Sequence, residues 1–392
     1  MKNKMQAFAD KYFLRSDEIL RKEGLNPWVN MQVFVRKGPG EIAGIDEAID
    51  IITQNSNIAE VGGRIYAKSE GDIYTPTETV MNIVAPIQSI MPLETVYLGP
   101  IASETTRRND HKEIDLEAIT RNVEQVVALA GGRPVFYFGA RHWHYNMDAE
   151  ITAAAFAGGC ASASTDNGAS TAGQKGMGTI PHALENVYAF YHGVENAVAE
   201  STAAFDRHMD PNIPRVALVD YNNREIDDSV QTSEKLRSQG SRLSAVRIDT
   251  CGENYAQGAR EFVRDSEFAQ TADQAFGGYF APSGVSIAGA IILRQWLDAI
   301  PGPRIGLVLS SGFSSPAKVQ AFNDAEAHYG MKIYDSIGAG FLDGIRTSTA
   351  DIIAVGNSAD QVDYFVAPIA EHNIIHKVGR PPKYNTTLER RV

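Results

Sequence analysis

Residues 134–182 carry an unusual density of side chains able to hold or activate a substrate. Arg141-His142-Trp143-His144 stands directly after the apolar run Val135 to Phe138. Two polar passages follow, around Asp166-Asn167-Gly168 and Gly176-Met177-Gly178-Thr179, and the second leads into Pro181-His182 at the start of a helical pattern. A guanidinium at position 141 could grip a carboxylate with two parallel hydrogen bonds, or close a strand end in a salt bridge. His142 and His144 alternate along extended backbone and can point together. Spacing fixes no third protein ligand for a metal, so contact with a phosphate or pyrophosphate is the favoured reading of the pair. His182 follows a Gly-Thr-Ile-Pro turn, next to where an anion could sit; an ordinary helix-starting histidine is the alternative. The glycine- and serine-rich backbone between these points needs hydrogen-bond partners that a ligand or water could supply.

Further chemistry lies downstream. Asp220 ends the run VALVD and Asp227-Asp228 follow in the next loop, where acids beside a phosphate could hold Mg2+ through water. Asp227 reads better as a helix-initiating acid. Arg247 and Asp249 alternate at the end of LSAVRID and can enter one pocket, the arginine towards an anion and the aspartate towards sugar hydroxyls; a structural ion pair is the other reading. Two late loops, Ser310-Ser311-Gly312-Phe313 and Ile337-Gly338-Ala339-Gly340, are rich in small residues. Such turns let successive N–H groups converge on an anion, and the helix expected after Ser315-Pro316 adds positive potential. Consecutive late loops are where an α/β barrel often binds phosphate.

These residues sit at the carboxyl ends of apolar runs, which requires elements that repeat. From Ile114 onward helical patterns alternate with short hydrophobic runs: VFYF, CASAS, VALVD, LSAVRID, IGLVLSS and KIYDSIG. The long stretch ALENVYAFYHGVENAVAESTAAFDRHM reads as helical, and a helix after Asp148 as N-cap is expected to stop at Gly158-Gly159. Polar signatures at the ends of many strands favour a barrel over a doubly wound sheet with one switch point. Residues before 113 read as a small α+β unit, with a linking helix that Gly99-Pro100 should bend or end. The expected organisation is therefore an N-terminal α+β domain over 1–112, joined by a tail from about 347 to 392, and an α/β barrel over 113–346.

With 392 residues, 43% hydrophobic and 21% charged, the composition suits a large buried core. The formal charge of -12 disfavours general nucleic-acid binding. Cys160 and Cys251 are far apart and read as buried thiols, with neither a disulfide framework nor a cysteine metal cluster. The absence of a signal-like or membrane-length apolar run makes a cytoplasmic location the expectation and a membrane partner unexpected.

In order along the chain, DKYFLRSDEIL, FGARHWH, GTIPHAL, LVD, RIDT, LSSGF and IGAG resemble the nicotinate phosphoribosyltransferases, within the type II phosphoribosyltransferases that also act on quinolinate and nicotinamide. The resemblance implies a partly closed α/β barrel with an N-terminal α+β domain and a discontinuous C-terminal contribution. It implies formation of nicotinate mononucleotide and pyrophosphate from nicotinate and 5-phosphoribosyl 1-pyrophosphate, with Mg2+, and with ATP as co-substrate phosphorylating His182. By the same resemblance His182, Arg141 and Asp249 are catalytic. Tyr12 and Phe138 sandwich the pyridine ring; His142, His144, Thr179 and Arg247 contact substrate; Ser311, Gly312, Gly338 and Gly340 hold the 5-phosphate; and Asp220 holds Mg2+ through water. A homodimer with shared sites, or a larger assembly of dimers, would bring Tyr12 from the partner. Two departures stand out: His142 where the family frequently has a second arginine, and a longer loop after Asp220. A decarboxylating quinolinate enzyme, using Arg107, Arg108, Arg141 and His144 as cations, and a non-catalytic sensor of phosphoribosyl ligands are the competing readings.

Overall fold

The computed structural model of the chain describes residues 5–264 and 269–392. Eleven strands build its two main sheets: β1 (Trp28–Val35), β2 (Arg64–Ala67), β3 (Thr79–Pro86), β4 (Val135–Tyr137), β5 (Ser162–Ala163), β6 (Val216–Leu218), β7 (Ala245–Ile248), β8 (Gly306–Leu309), β9 (Ser336–Ala339), β10 (Ser348–Gly356) and β11 (Glu389–Arg390). One sheet has the order β10-β1-β3-β2-β11 and the other β5-β4-β9-β8-β7-β6. Every pairing in the six-stranded sheet is parallel.

Parallel strands need crossover helices, and the periodic stretches between them supply these. Leu116–Leu129 leads to β4, with Asp115 accepting from the amide of Ala118 as its cap, and Asp148–Ala157 leads to β5. Glu225–Ser238, Ile287–Ala299 and Pro316–Tyr329 precede β7, β8 and β9. The sheet curls into a half-barrel whose edge strands, β5 and β6, are not paired with each other. Residues 177–179 cross that seam: the amide of Met177 donates to the carbonyl of Ala163 at 2.9 Å, and Thr179 Oγ1 donates to the carbonyl of Val216 at 2.8 Å. The fold is thus a partly closed α/β barrel with added α+β elements.

The five-stranded sheet draws on both ends of the chain. β1 lies between β3 and β10, antiparallel to each, with Trp28 opposite Gly356 and Val35 opposite Ser348. Because β1 is covered on both faces it reads as a nearly unbroken apolar run, interrupted by Asn30 and Gln32. These amides bond to the returning tail: Asn30 Nδ2 donates to the carbonyl of Val362 at 2.8 Å, and Gln32 Oε1 accepts from the amide of Lys383 at 2.9 Å. A contiguous apolar core runs through both sheets.

Three local expectations change. Helix Glu94–Asp110 continues through Gly99-Pro100 instead of ending there; a Cβ on Gly99 would lie 2.4 Å from the carbonyl oxygen of Trp143, so the glycine admits the loop that carries Arg141 to His144. The long helical stretch is two helices, His182–His192 and Ala197–His208, separated at Gly193 with φ of 89°. Asp148 is the first residue of its helix, not the cap, and its carboxylate accepts from Thr165 Oγ1 and Asn167 Nδ2. No helix among the described residues is long and apolar enough to cross a membrane.

Arg346 ties the tail to the N-terminal elements: Nε and Nη2 take the two oxygens of Asp110 at 2.9 Å each, and Nη1 donates to Tyr74 Oη and the carbonyl of Pro39. Lys37 Nζ also reaches Asp110, at 3.2 Å, so removing Arg346 leaves the carboxylate one cation but strips the junction of four hydrogen bonds from a buried guanidinium. Arg346→Met is expected to lower the free energy of unfolding by about 2 kcal/mol, read from urea transitions. A loss below about 1 kcal/mol, the range of an exposed ion pair, would deny this link its structural weight.

Candidate active site

The carboxyl ends of the barrel strands open into one cavity of about 450 Å³, closed on its other side by β10, the start of the chain and the tail. Strand β4 delivers its first group. After Tyr137 the chain passes Phe138 and Gly139 into a tight turn, Ala140–His142, that turns Arg141 and His142 into the cavity. The neighbouring strand makes room: a Cβ on Gly338 would meet the Phe138 ring at 2.3 Å, and one on Gly340 would meet the imidazole of His142 at 2.5 Å. These two glycines let β9 pass directly beneath an aromatic ring and an imidazole.

Arg141 Nη1 donates to Tyr12 Oη at 2.7 Å, Tyr12 Oη lies 3.1 Å from Asp10 Oδ2, and Thr95 Oγ1 donates to the same carboxylate oxygen at 2.9 Å. The Tyr12 hydroxyl raises the pKa of Arg141, outweighing the burial that lowers it, with Asp10 and Glu94 adding to the effect. The guanidinium therefore stays charged, and its remaining N–H groups are available to a carboxylate. His142 is driven down to about 3 by burial, helped by Arg141 and Arg36, so it is neutral. Burial pushes the Glu94 carboxyl up to about 8, against the pull of Arg141.

On the opposite wall His182 opens helix His182–His192. Its Nε2 lies 3.0 Å from Asp220 Oδ1, at the end of β6, and Lys377 Nζ from the tail lies 2.7 Å from Asp220 Oδ2. Asp220 and Lys377 are buried. Burial works to raise the Asp220 pKa, but Lys377 and His182 outweigh it and hold the carboxylate well below its usual range. An acceptor-only carboxylate fixes the imidazole with Nε2 as donor, leaving Nδ1 with its lone pair.

Between these walls stand Arg247 and Asp249, with Arg247 Nη2 4.0 Å from Asp249 Oδ2 and its guanidinium 6.0 Å from the centre of the Phe138 ring. Ser311 and Gly312 both have positive φ, 68° and 82°. Consecutive left-handed residues form a concave run of amides suited to an anion. The N–H groups of Ser311 to Ser314 have no acceptor among the described residues, whereas that of Ser310 is spent on the carbonyl of Ile248.

Comparison with known proteins adds a second line of observation. Residues 10–104 match the family model described as quinolinate phosphoribosyl transferase, N-terminal domain. The chain is 28% identical over 189 residues to nicotinate phosphoribosyltransferase pncB1 of Mycobacterium tuberculosis, a stretch that takes in 48% of this chain and 38% of that relative. Its fold is that of the nicotinate phosphoribosyltransferase from Porphyromonas gingivalis (TM-score 0.59, 11% identity, 95% of this chain and 92% of the other) and of the one from Vibrio cholerae (TM-score 0.53, 14% identity, 90% and 86%). Part of the chain thus resembles phosphoribosyltransferases in sequence, and most of it shares their fold.

Most of the expected site residues meet in the cavity: Tyr12, Phe138, Arg141, His142, His182, Arg247, Asp249, Ser311, Gly312, Gly338 and Gly340 all line it. Two do not. His144 turns to the outer side, where Nε2 lies 2.9 Å from Glu47 Oε1, and Thr179 is occupied at the barrel seam. Asp220 is not free for a cation, because His182 and Lys377 hold its two oxygens. Asp227 pairs with Arg224 in the first helical turn after β6, as a helix-initiating acid does. Tyr12 reaches Arg141 within its own chain. Asp10, Arg36, Glu94, Lys377 and Arg380 line the cavity without having been expected. Glu94-Thr95 at a helix start was a usable signal, whereas nothing local marks the tail residues.

A carboxyl whose folded pKa exceeds its unfolded value keeps its proton in the fold, so stability is full below the unfolded pKa and falls as pH rises towards the folded one. For Glu94 that window runs from about 4.3 to about 8. Glu94→Gln is therefore expected to gain on the wild type by up to roughly 1.4 kcal/mol per pH unit across it. Parallel unfolding free energies for the two proteins from pH 5 to 8 would show that Glu94 ionises normally.

Proposed function

We propose that this protein transfers a phosphoribosyl group to nicotinate. The pyridine nitrogen attacks C1 of 5-phosphoribosyl 1-pyrophosphate, the bond from C1 to the pyrophosphate oxygen breaks, and nicotinate mononucleotide and pyrophosphate leave. The observation that carries the reading is the layout of one cavity: Arg141 with Tyr12 and Phe138 at one end, the unpaired amides of residues 311–314 at the other, and Arg247 with Asp249 between them. A ring carboxylate suits the guanidinium fork, a ring face suits the aromatic side chains, and a 5-phosphate suits the amide run. The nucleophile needs no general base, since an unprotonated pyridine nitrogen already has its lone pair. Alignment and stabilisation of the separating charges would supply the rate.

Of the four cations that the quinolinate reading invokes, only Arg141 lines the cavity: Arg107 is paired with Glu104 and Glu113, Arg108 is nearest Glu41, and His144 bonds Glu47. Arg36 and Arg380 also line the cavity and could meet a second ring carboxylate, so turnover of the two bases side by side separates the readings.

In the ATP-coupled form of the reaction, Nδ1 of His182 takes the γ-phosphoryl group and ADP departs. Asp220 orients the ring through Nε2, and Lys377 keeps Asp220 ionised and in place. Mg2+ would neutralise phosphoryl oxygens. Asp249, which lines the cavity, would hold it from the protein side.

Purified protein given nicotinate, the phosphoribosyl donor, ATP and Mg2+ should release the mononucleotide, with little product from quinolinate run alongside. Preferential turnover of quinolinate, or no product while a control enzyme is active, rejects the assignment. Arg141→Lys should lower kcat/KM for nicotinate roughly 100-fold, equivalent to about 3 kcal/mol for a lost charge-assisted pair. Binding of the phosphoribosyl donor to that variant should change little.

A further inference from the structure

Lys318 stands in the first turn of helix Pro316–Tyr329, directly behind the amide run, and the residue pattern gave it no role. Its ammonium donates to the carbonyl oxygen of Ser311 at 3.0 Å and lies 4.4 Å from the centre of the Phe313 ring. It would be 3.5 Å from a Cβ at Gly312. No carboxylate forms a salt bridge with it among the described residues, and the side chain is half-buried. In a trans peptide the C=O and N–H bonds point in opposite directions. A lysine that draws the Ser311 carbonyl towards the helix therefore turns the Gly312 amide the other way. It does so at a non-glycine residue held at φ of 68°, a conformation that costs about 1 kcal/mol or more and persists only where neighbours enforce it.

We propose that Lys318 completes the anion cradle at residues 311–314, fixing the Gly312 amide through the Ser311 carbonyl and supplying the cation that a phosphate monoester needs there. This rests on the reading of that loop as the seat of the 5-phosphate, and it adds the residue that sets the charge and pH range of binding. The loop amides are partial charges only, and a phosphate brings close to two negative charges at neutral pH. The ammonium sits on the carbonyl side of the Ser311–Gly312 peptide and acts on the anion through the amide that it orients and through its charge.

The environment of this lysine makes the role measurable. Burial pushes its pKa down to about 8, with Asp249 acting in the opposite direction. A dianion binds the ammonium form more tightly, so above about pH 8 the free protein must take up a proton when the ligand binds. Affinity should then fall with rising pH. The charged groups near the loop are Asp249 and Arg247 at the end of β7 and Asp343, which accepts from Ser314 Oγ at 3.2 Å. Glu94 titrates in the same range from the far end of the cavity, so the wild-type slope must be compared with that of a lysine variant.

The test is calorimetric titration of the whole protein with ribose 5-phosphate from pH 7 to 9.5, with nicotinate as a second ligand. Wild type should bind the sugar phosphate with a Kd that rises above pH 8, by up to about tenfold in total by pH 9.5. Lys318→Met should bind it roughly tenfold or more weakly at pH 7 and show a flatter profile, with nicotinate affinity unchanged. Lys318→Arg, which keeps the charge at every pH in the range, should bind near wild-type strength at pH 7 and share the flatter profile. This variant preserves the test should the methionine protein fold poorly. A Lys318→Met protein within twofold of wild type at pH 7, or an arginine variant with the full wild-type slope, overturns the role of Lys318 while leaving the phosphate site standing. Failure of wild type itself to bind ribose 5-phosphate and the phosphoribosyl donor removes the phosphate reading and this inference with it.

Discussion

A carboxylate buried without a counter-charge would take up a proton, and Asp220 is spared this by Lys377, 2.7 Å away. That ion pair joins three parts of the chain that are remote in sequence. It fastens the tail, which carries Lys377, to the end of barrel strand β6. It leaves the other oxygen of Asp220 to the imidazole of His182. Through the backbone at Val378, whose amide donates to the carbonyl of Tyr221 at 2.9 Å, it seats Arg380 at the cavity edge. A buried ion pair is weak evidence for net stability, since desolvation offsets much of its attraction. Its effect here is on geometry: it decides which groups can face the cavity and in which charge state.

The same economy governs the opposite wall. Phe138 and His142 belong to the loop after β4, but their positions are decided on β9, where glycines at 338 and 340 leave no side chain to collide with them. Small residues in the IGAG run thus serve the aromatic end of the cavity by close approach. The amide run at 311–314 instead depends on backbone conformation, with two successive residues in the left-handed region. Two glycine-rich loops that look alike as sequence therefore do different physical work.

The five-stranded sheet explains why the tail can matter to a site built on the barrel. β10 pairs with β1 across the whole length of that strand, and the buried amides of Asn30 and Gln32 bond to segments further along the tail. Burying such groups without partners would be costly, so their presence in an otherwise apolar strand fixes where the tail must run. Arg346, just before β10, adds its paired bonds to Asp110 and brings the end of helix Glu94–Asp110 into the same junction. The N-terminal segment closes the last side, Tyr12 meeting Arg141 within one chain.

The sequence by itself determined the elements whose signals are local. Alternating helical periods and short apolar runs specified parallel strands with crossover helices, because burial on both faces and the need for long connections leave few other arrangements. The glycine loops and the alternation of Arg247 with Asp249 likewise followed from backbone geometry that neighbouring residues dictate. The tertiary structure alone decided the rest, since it depends on which surfaces meet. Nothing within HWH tells that His144 leaves the cavity for Glu47 while His142 stays, because helix Ile45–Asn55 provides that acid from almost a hundred residues away. Gly99-Pro100 is a helix breaker in isolation, yet packing against the Trp143 carbonyl keeps the helix continuous. Asp220 offered as sequence a plausible metal ligand, and only the return of Lys377 from 157 positions further on turned it into the buried anchor of a histidine. Charge states and contacts of this kind are set by long-range burial, which no window of neighbouring residues contains.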